Sequence, residues 1–141
     1  MKLPGFKQYD ELPAYYGCAA AFVHVSLMEP WGLVVNEAMS SGLPVVVSQR
    51  CGCAADLVED GKNGFVVDPM DRYGIARALV ALSSPECALA AMGRESETII
   101  ARWGLDAFVT GMQNAVAAAQ AAPPMRAAMA DRALLRALSY R

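Results

Sequence analysis

Two short runs, Ala20–Val25 and Pro44–Ser48, are apolar almost without interruption, and a helix-forming stretch closed by Gly42 lies between them. A strand with one wet face alternates apolar and polar residues. A continuous run instead predicts a strand buried on both faces, as in a parallel sheet covered by helices. Parallel neighbours need a crossover connection, and the helix between the runs supplies one. Phe65–Asp68, ended by Pro69, repeats the pattern and predicts a third strand. The expected fold class is therefore α/β, with about three parallel strands flanked by helices.

The remaining segments fit that alternation. Asp10 is expected to cap a helix over residues 11–18, with Pro13 tolerated in its first turn. Gly32 opens a helix from Leu33 to Ser41, and Gly42 closes it in a left-handed conformation. Cys51 to Leu57 reads as a small-residue loop leading into one helical turn, and Asp60–Gly64 as a turn. Asp71 caps a helix to about Leu82, and Ser84-Pro85 starts another. In the last long helix, Leu105, Phe108, Val109, Met112, Val116 and Ala119 predict one buried stripe. Pro123-Pro124 ends it, so the expected organisation is one domain over 1–122 and a helical tail over 123–141.

Composition removes several function classes. Apolar residues make up 55% of the 141 and charged residues 18%, enough to form a core. A net charge of −2 gives no basic footprint for nucleic acid. No run has the length of a membrane span, and no N-terminal stretch has the form of a signal peptide, so a cytoplasmic location is expected. The tail carries Arg126, Arg132, Arg136 and Arg141 against Asp131; a solvated face accounts for it better than weak peripheral membrane contact. Cys18, Cys51, Cys53 and Cys87 form no pair of C-x-x-C knuckles, and His24 lies in an apolar run, so no metal site is expected. Cys51 and Cys53 read as small loop residues.

In open α/β sheets, ligands sit beyond the carboxyl ends of the strands. The loops there are Ser26–Trp31 and Gln49–Ala54. Glu29 lies in the first of them. Gly32 begins a helix whose first amides, from Gly32, Leu33 and Val34, lack intrahelical partners and favour a phosphate. Gly32 lets a ligand approach the backbone closely. Glu37, about a turn and a half further on, can accept two hydroxyl protons from one ribose, and Glu29 can do so from a second sugar. A capped amphipathic helix with incidental acids fits the same residues, and the physics of the segment leaves the two readings level.

Glu29 and Glu37 stand in E-P-W-G-L-V-V-N-E, followed by A-M-S-S-G-L-P-V-V-V-S. This segment resembles the hallmark of the large retaining glycosyltransferase family with the GT-B fold, family 4 type, known as glycosyl transferases group 1. Other pieces match in order: Gly5-Phe6 before Glu11-Leu12 and Tyr15-Tyr16, the turn Asp60-Gly61 with Asn63-Gly64, and Pro69 with Asp71. The resemblance runs from about residue 5 to residue 103. It implies a Rossmann-like C-terminal donor lobe of which this chain is a part. The family order 3-2-1-4-5-6 would make the three runs strands 4, 5 and 6, with Lys2–Pro4 as the end of strand 3 and Ala20–Val25 as a bare edge.

The resemblance also implies roles. Glu37 would bind the nucleotide ribose. Glu29 would bind the donor sugar beside its anomeric carbon and act as the catalytic group. Trp31, Gly32, Leu33 and Val34 would line the sugar and diphosphate, and Ser26, Gly52 and Cys53 the pocket edge. The reaction would move a glycosyl group from a UDP-, GDP- or ADP-sugar to an acceptor with retention, without metal or other cofactor. Three positions depart from the family pattern: Cys53 and Asp56 stand where a glycine and a glutamate are common, and Pro30 replaces a commoner glycine. The acceptor lobe and the Arg/Lys pair that clamps the diphosphate have no counterpart here, which implies a fragment inactive alone. A non-catalytic nucleotide-sugar-binding or scaffold domain is the alternative.

Overall fold

A computed structural model of the chain describes residues 4–122 and 136–138. The order of elements is α1 (Leu12–Gly17), β1 (Phe22–His24), α2 (Leu33–Ser40), β2 (Val45–Ser48), α3 (Ala54–Leu57), β3 (Gly64–Val67), α4 (Arg72–Ser83), α5 (Leu89–Ile100) and α6 (Leu105–Ala121), with a 3-10 turn at Ala101–Trp103. The strands form one parallel sheet in the order β1-β2-β3. Phe22 pairs with Val45, and Val45 in turn with Gly64. The expected three parallel strands are thus present, each slightly shorter than its apolar run.

Burial explains why β2 reads as unbroken apolar sequence. All four of its residues are buried. Side chains alternate between sheet faces. Val45 and Val47 pack in a cluster with Val35 and Met39 of α2, Leu57 of α3 and Ile99 of α5. Val46 faces the other way, into a cluster with Val67 of β3, Ala78 and Leu82 of α4, and Met92. Helices therefore cover both faces, and no position in β2 tolerates water. In α2 the buried residues are Val35, Ala38 and Met39, spaced as one helical face. Gly42, at φ 70°, follows that helix as expected.

Beyond β2, Asn63 fixes the turn before β3. It is fully buried, its amide nitrogen donates to the Leu57 carbonyl at 3.0 Å, and its side-chain oxygen accepts from the Glu59 amide at 2.8 Å. The exposed backbone of β3 is met by a side chain, since the Val66 amide donates to Asp60 Oδ1 at 2.9 Å.

Three expectations about helices are corrected. Asp10 does not cap α1. The N-cap is Glu11, without a capping bond of its own, because its carboxylate already accepts from the Gln8 amide at 2.9 Å and from Lys7 at 3.3 Å. Ser84-Pro85 does not start a helix; α5 begins at Leu89. The Ser84 hydroxyl takes the Glu86 amide at 3.3 Å and the Ser84 carbonyl takes the Cys87 amide at 3.0 Å, closing a local turn in competition with a helix. By contrast, Asp71 caps α4 as expected, accepting from the Tyr73 amide at 3.0 Å.

The third correction concerns α6. The described residues fall into two compact units, Met1–Gly104 and Leu105–Arg141. In the second, α6 has no buried residue, and Leu105, Phe108, Met112 and Val116 are all exposed. Helical spacing of apolar residues reports a face suited to burial. It does not report that a covering surface is in place. Lys2 and Leu3 lie outside the described residues, and so does most of the basic tail, of which only the helical turn 136–138 is described. Pro4 is exposed and belongs to no strand.

Candidate functional site

The loops after β1 and β2 meet at the carboxyl end of the sheet, where the topology leads a ligand to be sought. Three backbone bonds join them. The Glu29 amide donates to the Arg50 carbonyl at 3.3 Å, the Gly52 amide to the Glu29 carbonyl at 2.9 Å, and the Cys53 amide to the Trp31 carbonyl at 3.1 Å. Glu29 and Cys51 form a parallel bridge that prolongs the β1-β2 pairing past the strands. Glu29 is held by the sheet, not by the flexibility of a surface loop.

Two glycines permit this close approach. A Cβ on Gly52 would lie 1.9 Å from the Pro30 carbonyl oxygen. Gly32 is the N-cap of α2 at φ 100°, ψ 62°, and a Cβ there would lie 2.7 Å from the Cys51 sulfur. A side chain would be strained at that φ and obstructed in that space. The Val35 amide donates back to the Gly32 carbonyl at 2.8 Å. The preceding amides of Leu33 and Val34 have no carbonyl within the helix to reach. Both residues are exposed, so the positive end of α2 faces solvent.

The other expected site residues group around this point. Trp31 donates from its indole nitrogen to Asn36 Oδ1 at 3.1 Å, and its ring lies 5.4 Å from that of Trp103. The Trp31 amide donates to Glu29 Oε1 at 3.4 Å. Ser26 donates to the Met28 carbonyl at 3.0 Å, within its own loop. Cys53 is fully buried, and its sulfur lies 3.4 Å from that of Cys51, which donates to the Trp31 carbonyl. Burial, and then the hydrogen bond with Cys51, push the Cys53 thiol well above its ordinary range. The two sulfurs pack together beneath the loop.

Glu37 stands apart from that group. It lines a cavity of about 190 Å³ with Tyr9, Leu12, Pro13, Tyr16 and Ser41. Glu29 does not line this cavity. One Glu37 carboxylate oxygen accepts from the Tyr16 hydroxyl at 2.9 Å. Burial, and then Glu37, push the Tyr16 phenol up to about 12, so it remains a donor at neutral pH. A complete small-molecule site measures roughly 300–1,000 Å³. The cavity is smaller than that.

Two residues beside the acids escaped the sequence reading. Tyr16 belonged to the matched motifs but had no role, and His24 was set aside as part of an apolar run. His24 Nε2 is buried without a hydrogen-bond partner and lies 3.8 Å from Glu29 Oε2. The available signal was period two: Phe22 and His24 are alternate residues of one strand and so share a face. Among the described residues, no group of three or more His, Cys, Asp and Glu side chains could hold a metal ion.

The profile of the family described as "Glycosyl transferases group 1" matches residues 1–97. The chain belongs to that family. Its fold is the Rossmann-like α/β fold of a GT-B lobe. Over 83 residues it is 39% identical to sucrose-phosphate synthase 4 of Arabidopsis thaliana, covering 56% of this chain and 8% of the plant protein. It is 47% identical over 70 residues to a sulfoquinovosyl transferase of the same plant, covering 48% of this chain and 14% of that one. A sucrose synthase of Acidithiobacillus caldus is 48% identical over 58 residues, covering 41% of this chain and 7% of the enzyme. The group 1 chain thus spans a small part of the length of these relatives.

Among solved structures, sucrose-phosphate synthase from Thermosynechococcus elongatus superposes with a TM-score of 0.70 at 27% identity, covering 84% of this chain and 30% of the other. An Anabaena protein, HepE, solved with UDP and glucose, gives 0.67 at 28% identity, covering 84% and 32%. No helix among the described residues is long and apolar enough to cross a membrane.

Proposed function

We propose that this chain supplies part of the donor site of a glycosyltransferase that moves a hexosyl group from a nucleotide-diphosphate sugar to an acceptor with retention. The observation that carries the reading is the solvent-facing amino end of α2, opened by Gly32 and bounded in sequence by Glu29 and Glu37. In this reading Glu37 accepts the ribose hydroxyls from the rim of its cavity. The amides of Leu33 and Val34 face the diphosphate, where preorganised donors stabilise the charge that develops on the leaving group. Glu29, beside Trp31 and Gly32, binds the donor sugar near its reacting carbon. Ser26, Gly52 and Cys53 shape the edge. The reaction runs in the cytoplasm without a metal ion.

The acceptor lobe and the basic clamp on the diphosphate come from elsewhere in the enzyme, so the chain alone binds donors weakly and turns nothing over. The solved relative with UDP and glucose supports a nucleotide-sugar donor. Weak, non-catalytic binding or a scaffold role is the second reading, favoured by the small cavity beside Glu37.

The test is an NMR-monitored titration of the 141-residue chain with UDP, GDP and ADP and with their glucose conjugates. Glu37→Ala should weaken every nucleotide by roughly ten-fold or more, the effect of a lost hydrogen bond to a charged group. Glu29→Ala should weaken only the sugar conjugates. Sub-micromolar binding by the unaltered chain would contradict the assignment of the clamp to another segment. Binding indifferent to Glu37→Ala would remove the ribose role.

A further inference from the structure

The two acids of the motif are joined by side chains that the proposed function leaves unused. The Tyr16 hydroxyl donates to Glu37 Oε2 at 2.9 Å. The Tyr16 ring meets Phe22 edge-on, centroids 5.9 Å apart at 62°. Phe22 in turn stacks on His24, at 6.2 Å and 12°. His24 Nε2 then lies 3.8 Å from Glu29 Oε2. A continuous row of three side chains therefore runs from one carboxylate to the other, and two of them, Phe22 and His24, are fixed by the pairing of β1 with β2.

We propose that the row Tyr16–Phe22–His24 is a positioning device for the donor site, with Tyr16 setting the Glu37 carboxylate toward the nucleotide and His24 setting that of Glu29 toward the sugar. This rests on the roles given to the two acids under the proposed function. Tyr16 and His24 act through the acids and touch no reacting atom.

The chemistry of both ends fits positioning better than packing. An ionised carboxylate offers about four lone-pair sites. Tyr16 occupies one, on a single oxygen, and so restrains the position of that oxygen while leaving sites for two hydroxyls. At the other end, buried polar atoms are as a rule hydrogen-bonded. His24 Nε2 is buried and has no such partner. Its separation from Glu29 exceeds the 2.7–3.2 Å range of about ideal hydrogen bonds, so a small shift of the carboxylate satisfies it. The other groups facing Glu29 are the Trp31 amide, at 3.4 Å from Oε1, and the thiol of Cys53. No hydrogen bond from either to Oε2 is seen among the described residues. A core position would be served as well by phenylalanine in place of Tyr16 or leucine in place of His24.

The chain contains one histidine, so its imidazole 15N signals need no assignment. In the ligand-free chain, Glu29→Gln should change those signals at constant pH; identical spectra would overturn the coupling of His24 to Glu29. For binding, UDP and UDP-glucose are the probes, with the 141-residue chain and the unfolding transition of each variant measured in parallel. Tyr16→Phe should weaken both probes several-fold, because Glu37 loses the bond that orients its carboxylate. His24→Leu should lower affinity for UDP-glucose and leave UDP unchanged, and His24→Gln, which keeps a donor, should restore part of it. If His24→Leu does not fold, His24→Val, which also lacks a donor, takes its place with the same expectation.

Equal loss of both probes on changing His24 would make its role structural and overturn the proposal. Loss with Glu37→Ala but none with Tyr16→Phe would overturn it while leaving the proposed function intact. If the unaltered chain binds neither probe at millimolar concentration, the roles of the acids fall, and the positioning device with them.

Discussion

The backbone of Gly52 runs against that of Pro30 so closely that a methyl group on Gly52 would lie 1.9 Å from the Pro30 carbonyl oxygen. The contact is backbone to side-chain position, so no rotamer change relieves it. Both loops of the candidate site are held at this point. Gly52→Ala should therefore cost about 1–3 kcal/mol, as overpacking does, and should also weaken UDP-glucose binding. Urea unfolding and the donor titration measure the two effects. Unchanged stability would mean that the loops separate at no cost.

Leu57 and Phe108 are both large apolar residues, but Leu57 is fully buried and Phe108 is 64% exposed. Leu57→Ala should destabilise the chain by about 2–5 kcal/mol. Phe108→Ala should stay within about 0.5 kcal/mol. A large effect of Phe108→Ala in urea unfolding would mean that α6 is covered in solution.

β1 pairs on one side only, with β2, and Val23 is 40% exposed. The exposed backbone of β3 is met by Asp60, and no comparable side-chain bond is seen at β1 among the described residues. Unpaired edges pair with other chains, and charges on them prevent it. Light scattering should show association that rises with concentration, and Val23→Lys should reduce it. A monomer at every concentration would show that β1 is covered.

Thiol reagents should label Cys18, which is exposed, well before Cys51 and Cys53, which are buried. The raised Cys53 thiol also fixes the sign of a pH effect. Below the unfolded-state value, about 8.5, its contribution to stability is complete. Above it, the unfolded chain releases a proton that the folded chain retains, so stability falls by up to about 1.4 kcal/mol per pH unit until the folded thiol ionises. Tyr16, pushed up to about 12, adds a second loss of the same sign above its own unfolded value of about 10. Urea unfolding between pH 7 and pH 10 measures the trend, and Cys53→Ser should flatten it. Rising stability over that range would reverse the assignment.

Much of this protein was determined by local sequence. Unbroken apolar runs gave buried parallel strands because water on either face would have left alternation. Asp71 and Gly42 marked helix ends because a carboxylate accepts from the Tyr73 amide and a left-handed glycine donates to the Met39 carbonyl, both within three residues. The pattern from Glu29 to Glu37 pointed to the family, since each residue answers to its immediate neighbours. Tertiary structure decided what depends on partners distant in the chain. The α6 stripe, for all its spacing, remained exposed. Tyr16 reached Glu37, and His24 approached Glu29, only because the chain packs α1 against α2 and β1 and folds the loop of Glu29 back beside His24. Periodicity states which face of an element should be covered. Only packing of the whole chain determines which side chain arrives there, and at what distance.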